Sequence, residues 1–334
     1  MMNVCVTGAT GFLGHYIVKL LSERGYFVHA FGRNQEKGRE LEAANKNVVF
    51  IKGNLEQSDD VLKAVKGCSY VVHAGALSSA WGSKKEFYDT NVTGTIHVLK
   101  ACEHHGVKRL VFISSPSIYT KEEDQYQIEE SQGGWDNRLN TYIQTKLLAE
   151  KAIRTFRSHA FEKVILRPRG LFGIGDTSII PRLMRANKIT GIPVFRNGNN
   201  LVDITYVENA AYSVFVALKT PGIDGATYNI TNGEPMKFKT ILMMFLDEIG
   251  LKPKFLKLSY PALSKVVACL ELLYRKMGIK KEPVFTRYTL MTLAFSQTLD
   301  IEKARKELGY EPLYSIEKGI QTYAEWYRKQ NCGN

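Results

Sequence analysis

Tyr142 and Lys146 are the residues whose types and spacing most directly allow proton-transfer chemistry. They lie in Asn140-Thr-Tyr-Ile-Gln-Thr-Lys146, whose helical periodicity places both side chains on one face, one turn apart. A phenol with an ordinary pKa of about 10 is a poor acid or base at neutral pH. A neighbouring ammonium group favours the phenolate, so we expect Lys146 to lower the pKa of Tyr142. The same spacing also occurs on exposed helices without a catalytic role.

A cluster of hydroxyl groups follows the predicted strand Arg109–Ile113, where the sequence continues Ser114-Ser-Pro-Ser-Ile-Tyr119. The carboxyl ends of parallel strands face the crevice in which such sheets bind ligands. We therefore expect one of these serine hydroxyls to hold a substrate oxygen beside the Tyr142 phenol.

The element that must position these groups begins the chain. Asn3–Thr7 has the composition of a buried strand, and Gly8, Gly11 and Gly14 follow it before a helical segment. A strand that turns into a helix presents free backbone N–H groups and the positive end of the helix dipole to an anion. Glycines at this spacing allow a tight turn, close approach of a pyrophosphate and packing of helix on strand. The pattern predicts a dinucleotide-binding turn.

Further strands are predicted at 26–31, 48–51, 70–76, 109–113 and from 164 onward. Most of them are separated by helical segments, which indicates an α/β fold with a parallel sheet. After the second strand, Gly32 occupies the position at which an acid would select NAD through the ribose hydroxyl. Arg33 follows it, and a guanidinium suits a 2′-phosphate. This predicts NADP(H) as the preferred cofactor, with NAD(H) as the alternative if Arg33 is an ordinary loop arginine.

Several other residues are predicted to contact the cofactor. Asn54, at the end of the third strand, is placed to hydrogen-bond the adenine edge, and small residues after the fourth strand let a flat cofactor lie against the backbone. Asn91 is predicted to cap the next helix or to hold a water near the site. The predicted cofactor-binding set is Gly8, Thr10, Gly11, Phe12, Leu13, Gly14, Arg33, Asn54, Leu55, Ala74, Gly75, Ala76, Asn91, Tyr142, Lys146 and Pro168.

The glycine turn, the serine cluster and the Tyr142-x-x-x-Lys146 pair together resemble the short-chain dehydrogenase/reductase superfamily in its extended form. The resemblance implies a Rossmann doubly wound parallel sheet with a smaller C-terminal substrate lobe. It assigns 1–169, joined by about 201–231, to the nucleotide-binding domain, and 170–200 with 232–330 to the substrate lobe. It implies catalytic roles for Ser115, Tyr142 and Lys146, with Ser114 as the alternative serine, and a homodimer formed through a helix bundle.

Three positions help to choose a branch of this superfamily. Sugar-nucleotide enzymes usually carry an asparagine where this chain has Gly170 and an arginine near Leu201 and Val202. The stretch from Gly198 to Asn209 is instead similar to the 3β-hydroxysteroid dehydrogenase-like group and to 2-alkyl-3-oxoalkanoate reductases. This implies an oxidoreductase acting on a secondary alcohol or ketone of an apolar, sterol-like or 3-oxo-acyl substrate. The alternatives are a nucleotide-sugar epimerase or dehydratase with tightly bound NAD, and a non-catalytic nucleotide-sensing protein.

The composition and charge of the chain limit the classes of partner and the cellular location that can be predicted. The 334-residue chain has a net charge of +12, but its basic residues are dispersed and no nucleic-acid-binding module is recognised. The charge therefore indicates either a field that attracts anionic ligands or a solvated basic surface. No signal peptide or spanning segment is recognised, and no metal-ligand spacing is found, so a cytoplasmic protein without a metal site is predicted. Five cysteines are expected to be reduced thiols: Cys5, Cys68, Cys102, Cys269 and Cys332.

The segment Tyr260–Met277 repeats apolar residues at helical spacing, with a basic cluster behind it formed by Arg275, Lys276, Lys280 and Lys281. One interpretation is an interfacial helix beside an apolar pocket, in peripheral contact with an anionic membrane surface. The other is a plain packed helix with a solvated basic end.

Overall fold

The computed structural model describes residues 2–133, 136–158, 160–279 and 281–331. Helical segments separate the first five strands, as predicted. The strands are β1 Asn3–Thr7, β2 Phe27–Gly32, β3 Val48–Lys52, β4 Tyr70–His73, β5 Arg109–Ile113, β6 Gln125–Ile128, β7 Glu162–Pro168, β8 Leu171–Phe172, β9 Ile192–Val194, β10 Leu201–Val202, β11 Thr205–Tyr206, β12 Thr227–Ile230, β13 Met236–Lys237, β14 Phe255–Lys257 and β15 Gln297–Leu299.

The helices begin with α1, which follows the glycine turn directly. They are α1 Phe12–Glu23, α2 Gln35–Ala43, α3 Ser58–Val65, α4 Lys84–Tyr88, α5 Gly94–His104, α6 Thr141–Thr155, α7 Ile180–Ile189, α8 Val207–Lys219, α9 Phe238–Glu248, α10 Tyr260–Lys276, α11 Arg287–Ala294 and α12 Ile316–Asn331. A π-helical turn, Asp89–Thr93, joins α4 to α5.

The central sheet has seven strands in the order β12-β7-β5-β4-β1-β2-β3, and every neighbouring pair is parallel. Parallel sheets need cover on both faces, which explains why β5 is buried along its whole length and apolar after Arg109. Helices α1 and α8 share one hydrophobic cluster with the sheet, and α3, α5 and α6 share another. The predicted Rossmann doubly wound α/β class is confirmed.

Smaller sheets lie after the fifth strand of the main sheet. One has the order β13-β10-β15-β6, and two pairs are formed by β8 with β11 and by β9 with β14. Strand β12 returns to the main sheet beside β7. The division into a nucleotide-binding domain of 1–169 with about 201–231 and a substrate lobe of 170–200 with 232–330 stays a prediction.

Asn91 does not begin a helix, so its predicted capping role is wrong. It lies in the π-helical turn within a continuous run from α4 to α5, and it is buried. Its amide oxygen accepts from the Leu77 N–H at 2.7 Å, and its nitrogen donates to the Leu77 carbonyl at 3.1 Å and the Thr145 hydroxyl at 3.1 Å. A π-bulge of this kind turns a side chain out of helical register. Asn91 therefore ties the loop after β4 to α6.

Candidate active site

The turn between β1 and α1 has the shape that a dinucleotide pyrophosphate requires. Gly8 has a φ of +71°, and a Cβ there would lie 2.6 Å from the Cα of Gly75. A Cβ on Gly14 would lie 2.1 Å from the Gly8 carbonyl oxygen. The first turn of α1 begins after Gly11 without a side-chain cap, so its N–H groups and the helix dipole remain available for an anion. The described residues therefore fit a dinucleotide, which would bring the nicotinamide to the carboxyl edge of the sheet.

The end of β2 carries an arginine and no acid. A Cβ on Gly32 would lie 2.9 Å from the Thr10 hydroxyl oxygen, so the turn packs tightly against this strand end. Arg33 is exposed and makes no hydrogen bond or ion pair with any residue that the structure describes. The next residue, Asn34, caps α2 by accepting from the Lys37 N–H at 3.0 Å. Arg33 is therefore the side chain available to a group on the adenosine ribose.

The remaining predicted cofactor contacts surround this turn. Asn54 uses its amide oxygen to accept from the Glu56 N–H at 3.3 Å. Leu55 is buried, and its side chain is 2.8 Å from where a Cβ of Gly75 would be. The other members lie at the edges of the same strands and helix: Phe12 and Leu13 begin α1, Ala74 to Ala76 follow β4, and Pro168 ends β7.

His73 holds the end of β4 in place. Its Nδ1 lies 2.7 Å from the Thr7 hydroxyl and its Nε2 lies 3.0 Å from the Thr95 hydroxyl. Burial, together with the charge of Lys146, lowers the pKa of His73 to about 3, so the imidazole is neutral. The Gly75 N–H also donates to Thr7, which fixes the start of the loop beside the glycine turn.

Ser115, Tyr142 and Lys146 meet at the carboxyl end of β5. The Lys146 ammonium donates to the Ile113 carbonyl at 2.8 Å and lies 4.7 Å from the centre of the Phe112 ring. Burial lowers its pKa to about 8. The Ser115 hydroxyl interacts with the Tyr142 phenol. This places a hydroxyl, a phenol and an amine at one edge of the sheet.

Ser114 faces away from this group, although it is the neighbour of Ser115. Its hydroxyl donates to the Glu150 carboxylate at 2.5 Å inside the core. Glu150 is also bound by the fully buried Arg167 guanidinium at 2.9 and 2.6 Å. Burial raises the pKa of Glu150, but the hydrogen bonds and charge of Arg167 outweigh that effect and lower it below its usual value. Ser114 therefore belongs to a buried ionic network that supports β5, β7 and α6.

The prediction that Lys146 lowers the pKa of Tyr142 is wrong for this structure. Burial raises the pKa of Tyr142, while the Ser115 and Ser78 hydroxyls oppose the effect and the Tyr288 phenol adds to it. Lys146 is not among the groups that shift the pKa of Tyr142, and its ammonium donates to the Ile113 carbonyl. Tyr142 therefore remains a neutral phenol at neutral pH, which is the state that donates a proton.

Three residues of the site were not predicted from the sequence. Ser78 lies in the loop after β4, Tyr288 lies on α11, and Arg169 follows β7 directly. The loop position of Ser78 and the Arg-Pro-Arg pattern ending at Arg169 are weak signals visible in the sequence. No local pattern marks Tyr288, because it approaches Tyr142 only when α11 packs against the cluster that includes Ile143 and Leu147 of α6.

The structure also limits other kinds of site. No group of three or more His, Cys, Asp or Glu side chains placed to hold a metal ion occurs among the described residues. Within the same ranges, no helix has both the length and the apolar character needed to cross a bilayer.

Comparison with known proteins places this fold and site in a family. The profile of the NAD dependent epimerase/dehydratase family matches residues 4–231. The chain is 33% identical over 328 residues to the 2-alkyl-3-oxoalkanoate reductase of Shewanella oneidensis, with 95% of this chain and 84% of that protein covered. It is 30% identical over 325 residues to the decarboxylating sterol-4-alpha-carboxylate 3-dehydrogenase of Mus musculus, with 95% and 88% covered.

Solved structures agree with the fold. The structure of MoeE5 in complex with UDP-glucose and NAD superposes with a TM-score of 0.75 at 25% identity, covering 98% of this chain and 99% of that one. The relatives found by sequence are named reductases and dehydrogenases, which confirms the predicted enzyme class. The chain is therefore an oxidoreductase that belongs to the NAD-dependent epimerase/dehydratase family, in the 3β-hydroxysteroid dehydrogenase-like branch that the sequence motifs indicate.

Proposed function

We propose that the protein interconverts a secondary alcohol and a ketone on a largely apolar substrate of the 3-oxo-acyl or sterol-like type, with NADP(H) as its preferred cofactor. The observation that carries the proposal is the convergence of Ser115, Tyr142 and Lys146 at the carboxyl end of β5. The names of the relatives support the substrate type, since they refer to an oxoalkanoate and a sterol carboxylate.

Each of these residues has a distinct role in the proposed reaction. In reduction, Tyr142 donates its phenolic proton to the carbonyl oxygen, and Ser115 orients that oxygen by a hydrogen bond. A bound nicotinamide cofactor would supply the hydride that this reduction requires. Lys146 binds the nicotinamide ribose hydroxyls and returns a proton toward Tyr142, a task suited to an amine whose pKa is about 8. In oxidation the proton and the hydride move in the opposite directions.

The experiment that tests this function follows NADPH oxidation with a panel of ketones that includes long-chain 3-oxo acids, a 3-ketosteroid and simple aldehydes. Tyrosine-dependent turnover of an apolar ketone is the expected result. Silence across the panel, with NAD retained through purification and turnover of a UDP-sugar, would instead establish the epimerase alternative. Gly170 weighs against that alternative, because it lacks the amide side chain that sugar-nucleotide enzymes usually carry at this position.

Arg33 is proposed to select NADP(H). Arg33→Ala is expected to weaken NADPH binding by about 10- to 100-fold, because a charge-assisted contact to phosphate contributes about 1.5–3 kcal/mol. NADH binding should stay close to the wild-type value, since NADH has no 2′-phosphate. Fluorescence titration of both cofactors measures the effect, and Arg39→Ala on α2 is the matched control. Equal losses for the two cofactors would contradict the assignment.

Helix α10 is proposed to touch an anionic membrane surface peripherally. Leu272 and Leu273 are more than half exposed, and Arg275 and Lys276 follow in the last turn. In such contacts, apolar side chains insert into the membrane surface while basic residues are attracted to anionic lipids. Each basic residue near the surface contributes about 1 kcal/mol to binding. Lys280, another member of the predicted basic cluster, lies outside the described residues.

The membrane proposal is tested by co-sedimentation with vesicles that contain phosphatidylserine. Wild-type protein is expected to sediment with these vesicles, and Leu272→Ser should reduce the bound fraction markedly. Ile189→Ser on α7, another exposed apolar residue, is the control and should not change it. Wild-type protein that stays in the supernatant would show that α10 is an ordinary exposed helix.

We also propose a cytoplasmic location and a homodimer. Cys5, Cys68 and Cys102 are buried free thiols and Cys269 is an exposed one, which suits a reducing compartment. The fifth cysteine, Cys332, lies outside the described residues. The dimer stays an implication of the family resemblance.

A further inference from the structure

Arg169 carries a buried charge that the proposed proton transfer does not use. Only 6% of the residue is exposed, and its buried Nε has no hydrogen-bond partner among the described residues. Buried arginines are normally paired, because a charge removed from water without a partner costs several kcal/mol. Arg167, two residues earlier, shows the normal case, since its guanidinium binds both oxygens of Glu150.

Arg169 follows the end of β7, next to the end of β5, which Ser115 follows. Ile113 of β5 pairs with Leu166 of β7, and the Ser114 N–H donates to the Leu166 carbonyl at 2.7 Å. The two strands therefore end together, with Ser115 after one and Arg169 after the other. Neighbouring strands are about 4.8 Å apart, so the two residues lie near each other at the carboxyl edge of the sheet.

The Tyr288 phenol interacts electrostatically with both Tyr142 and Arg169. Its phenol is close enough to Tyr142 to raise the pKa of that tyrosine, and the Arg169 charge in turn lowers the pKa of Tyr288, against the larger effect of burial. Arg169 also lines a small cavity together with the apolar side chains of Met291 and Phe295. Tyr288 therefore lies within electrostatic reach of both Tyr142 and Arg169.

The nearest acids do not neutralise Arg169. Asp203 is buried and influences Arg169, but no ion pair joins the two side chains in the part of the chain that the structure describes. Burial raises the pKa of Asp203 to about 6, while the Leu299 N–H that donates to it at 2.7 Å favours the ionised form. Glu123, on the rim of the same cavity, is paired with Lys121 at 3.5 Å. The guanidinium fork thus remains free to bind an anionic group.

We propose that Arg169 binds a carboxylate of the substrate, so that the enzyme acts on free 3-hydroxy and 3-oxo acids in preference to neutral alcohols and ketones. This inference rests on the proposed function, because it takes Tyr142 as the group at the reacting carbon. A planar guanidinium matches a carboxylate in a bidentate arrangement. Since Ser115 and Arg169 end adjacent strands, the carboxylate belongs within a few bonds of the reacting carbon, as in a 3-oxo acid.

The test compares three alcohols of matched chain length with wild-type enzyme and NADP⁺: a long-chain 3-hydroxy acid, its methyl ester and the secondary alcohol that lacks the carboxyl group. The acid is expected to exceed both neutral compounds in kcat/KM by at least about 100-fold, mainly through KM, because neutral compounds leave the guanidinium unpaired. Arg169→Gln should reduce the acid-to-ester ratio to near unity, and Arg169→Lys should restore part of it. Arg182→Gln, at an exposed arginine paired with Glu282, is the control and should keep the wild-type ratio.

A binding measurement separates this inference from the proposed function. Calorimetric titration of the 3-hydroxy acid and its ester into cofactor-loaded protein should show tighter binding of the acid, lost in Arg169→Gln. Selective acid binding without turnover would reject the reaction but retain the carboxylate site. Turnover with equal preference for acid and ester would retain the reaction and overturn the carboxylate site, as would binding of UDP-glucose, but not the acid, through Arg169. If Arg169→Gln fails to fold, the wild-type comparison of acid with ester and the Arg169→Lys variant decide the question.

Discussion

Tyr142→Phe is expected to lower kcat for ketone reduction by about 100- to 10,000-fold, the range that a positioned general acid contributes. The variant keeps the ring and removes only the hydroxyl, so the packing of Tyr142 against Phe87 should persist. Cofactor affinity is expected to stay close to the wild-type value. Stopped-flow measurement of NADPH oxidation with a saturating ketone determines the loss, and fluorescence titration determines the cofactor affinity.

The pH dependence provides an independent test of the same residue. Because burial raises the pKa of Tyr142, the phenol stays protonated through neutral pH. Reduction should therefore not titrate with Tyr142 across the neutral range, whereas deprotonation of Lys146, whose pKa is about 8, should slow proton return above that pH. Oxidation, which needs the phenolate, should rise with pH. Tyr88→Phe, at an exposed tyrosine, is the control for both measurements. Comparable turnover by Tyr142→Phe and wild type would exclude Tyr142 as the acid.

Gly14→Ala is expected to cause a large loss of stability, because the glycine turn has no room for a side chain at this position. The added Cβ would overlap the Gly8 carbonyl at 2.1 Å, and both partners are backbone, so the turn must shift. Severe overpacking of this kind costs about 1–3 kcal/mol, occasionally more, of the free energy of unfolding. Binding of NADPH should also weaken, because the displaced Gly8 is part of the pyrophosphate cradle.

Denaturant unfolding of the cofactor-free protein measures the first effect, and cofactor titration measures the second. Gly67→Ala is the matched control: a Cβ there meets no atom within 4 Å, so only the cost of its φ of +75° applies, about 1–2 kcal/mol. A Gly14→Ala protein with wild-type stability and wild-type cofactor affinity would show that this turn does not require glycine for packing.

The two sequence-based predictions that were wrong, the capping role of Asn91 and the direction of the Tyr142 pKa shift, both depend on long-range packing. The end of β2 and the start of α1 were predictable because strand and helix periodicities depend on neighbouring residues. Asn91 was misassigned because a π-helical turn has no periodic signal of its own and is held by Leu77 and Thr145, from distant segments. The pKa of Tyr142 was predicted in the wrong direction because spacing along a helix does not report desolvation.

The dinucleotide turn, the parallel α/β sheet and the four-residue spacing of Tyr142 and Lys146 could be predicted, because each depends on a short stretch of chain. Which of the two neighbouring serines faces the phenol depends instead on long-range packing. Strand β5 turns Ser114 into the core toward Glu150 and leaves Ser115 in the crevice. The tertiary structure also decided that Arg169 lies buried beside that crevice, because burial and pairing depend on how β7, α11 and the segment at Asp203 pack around one another.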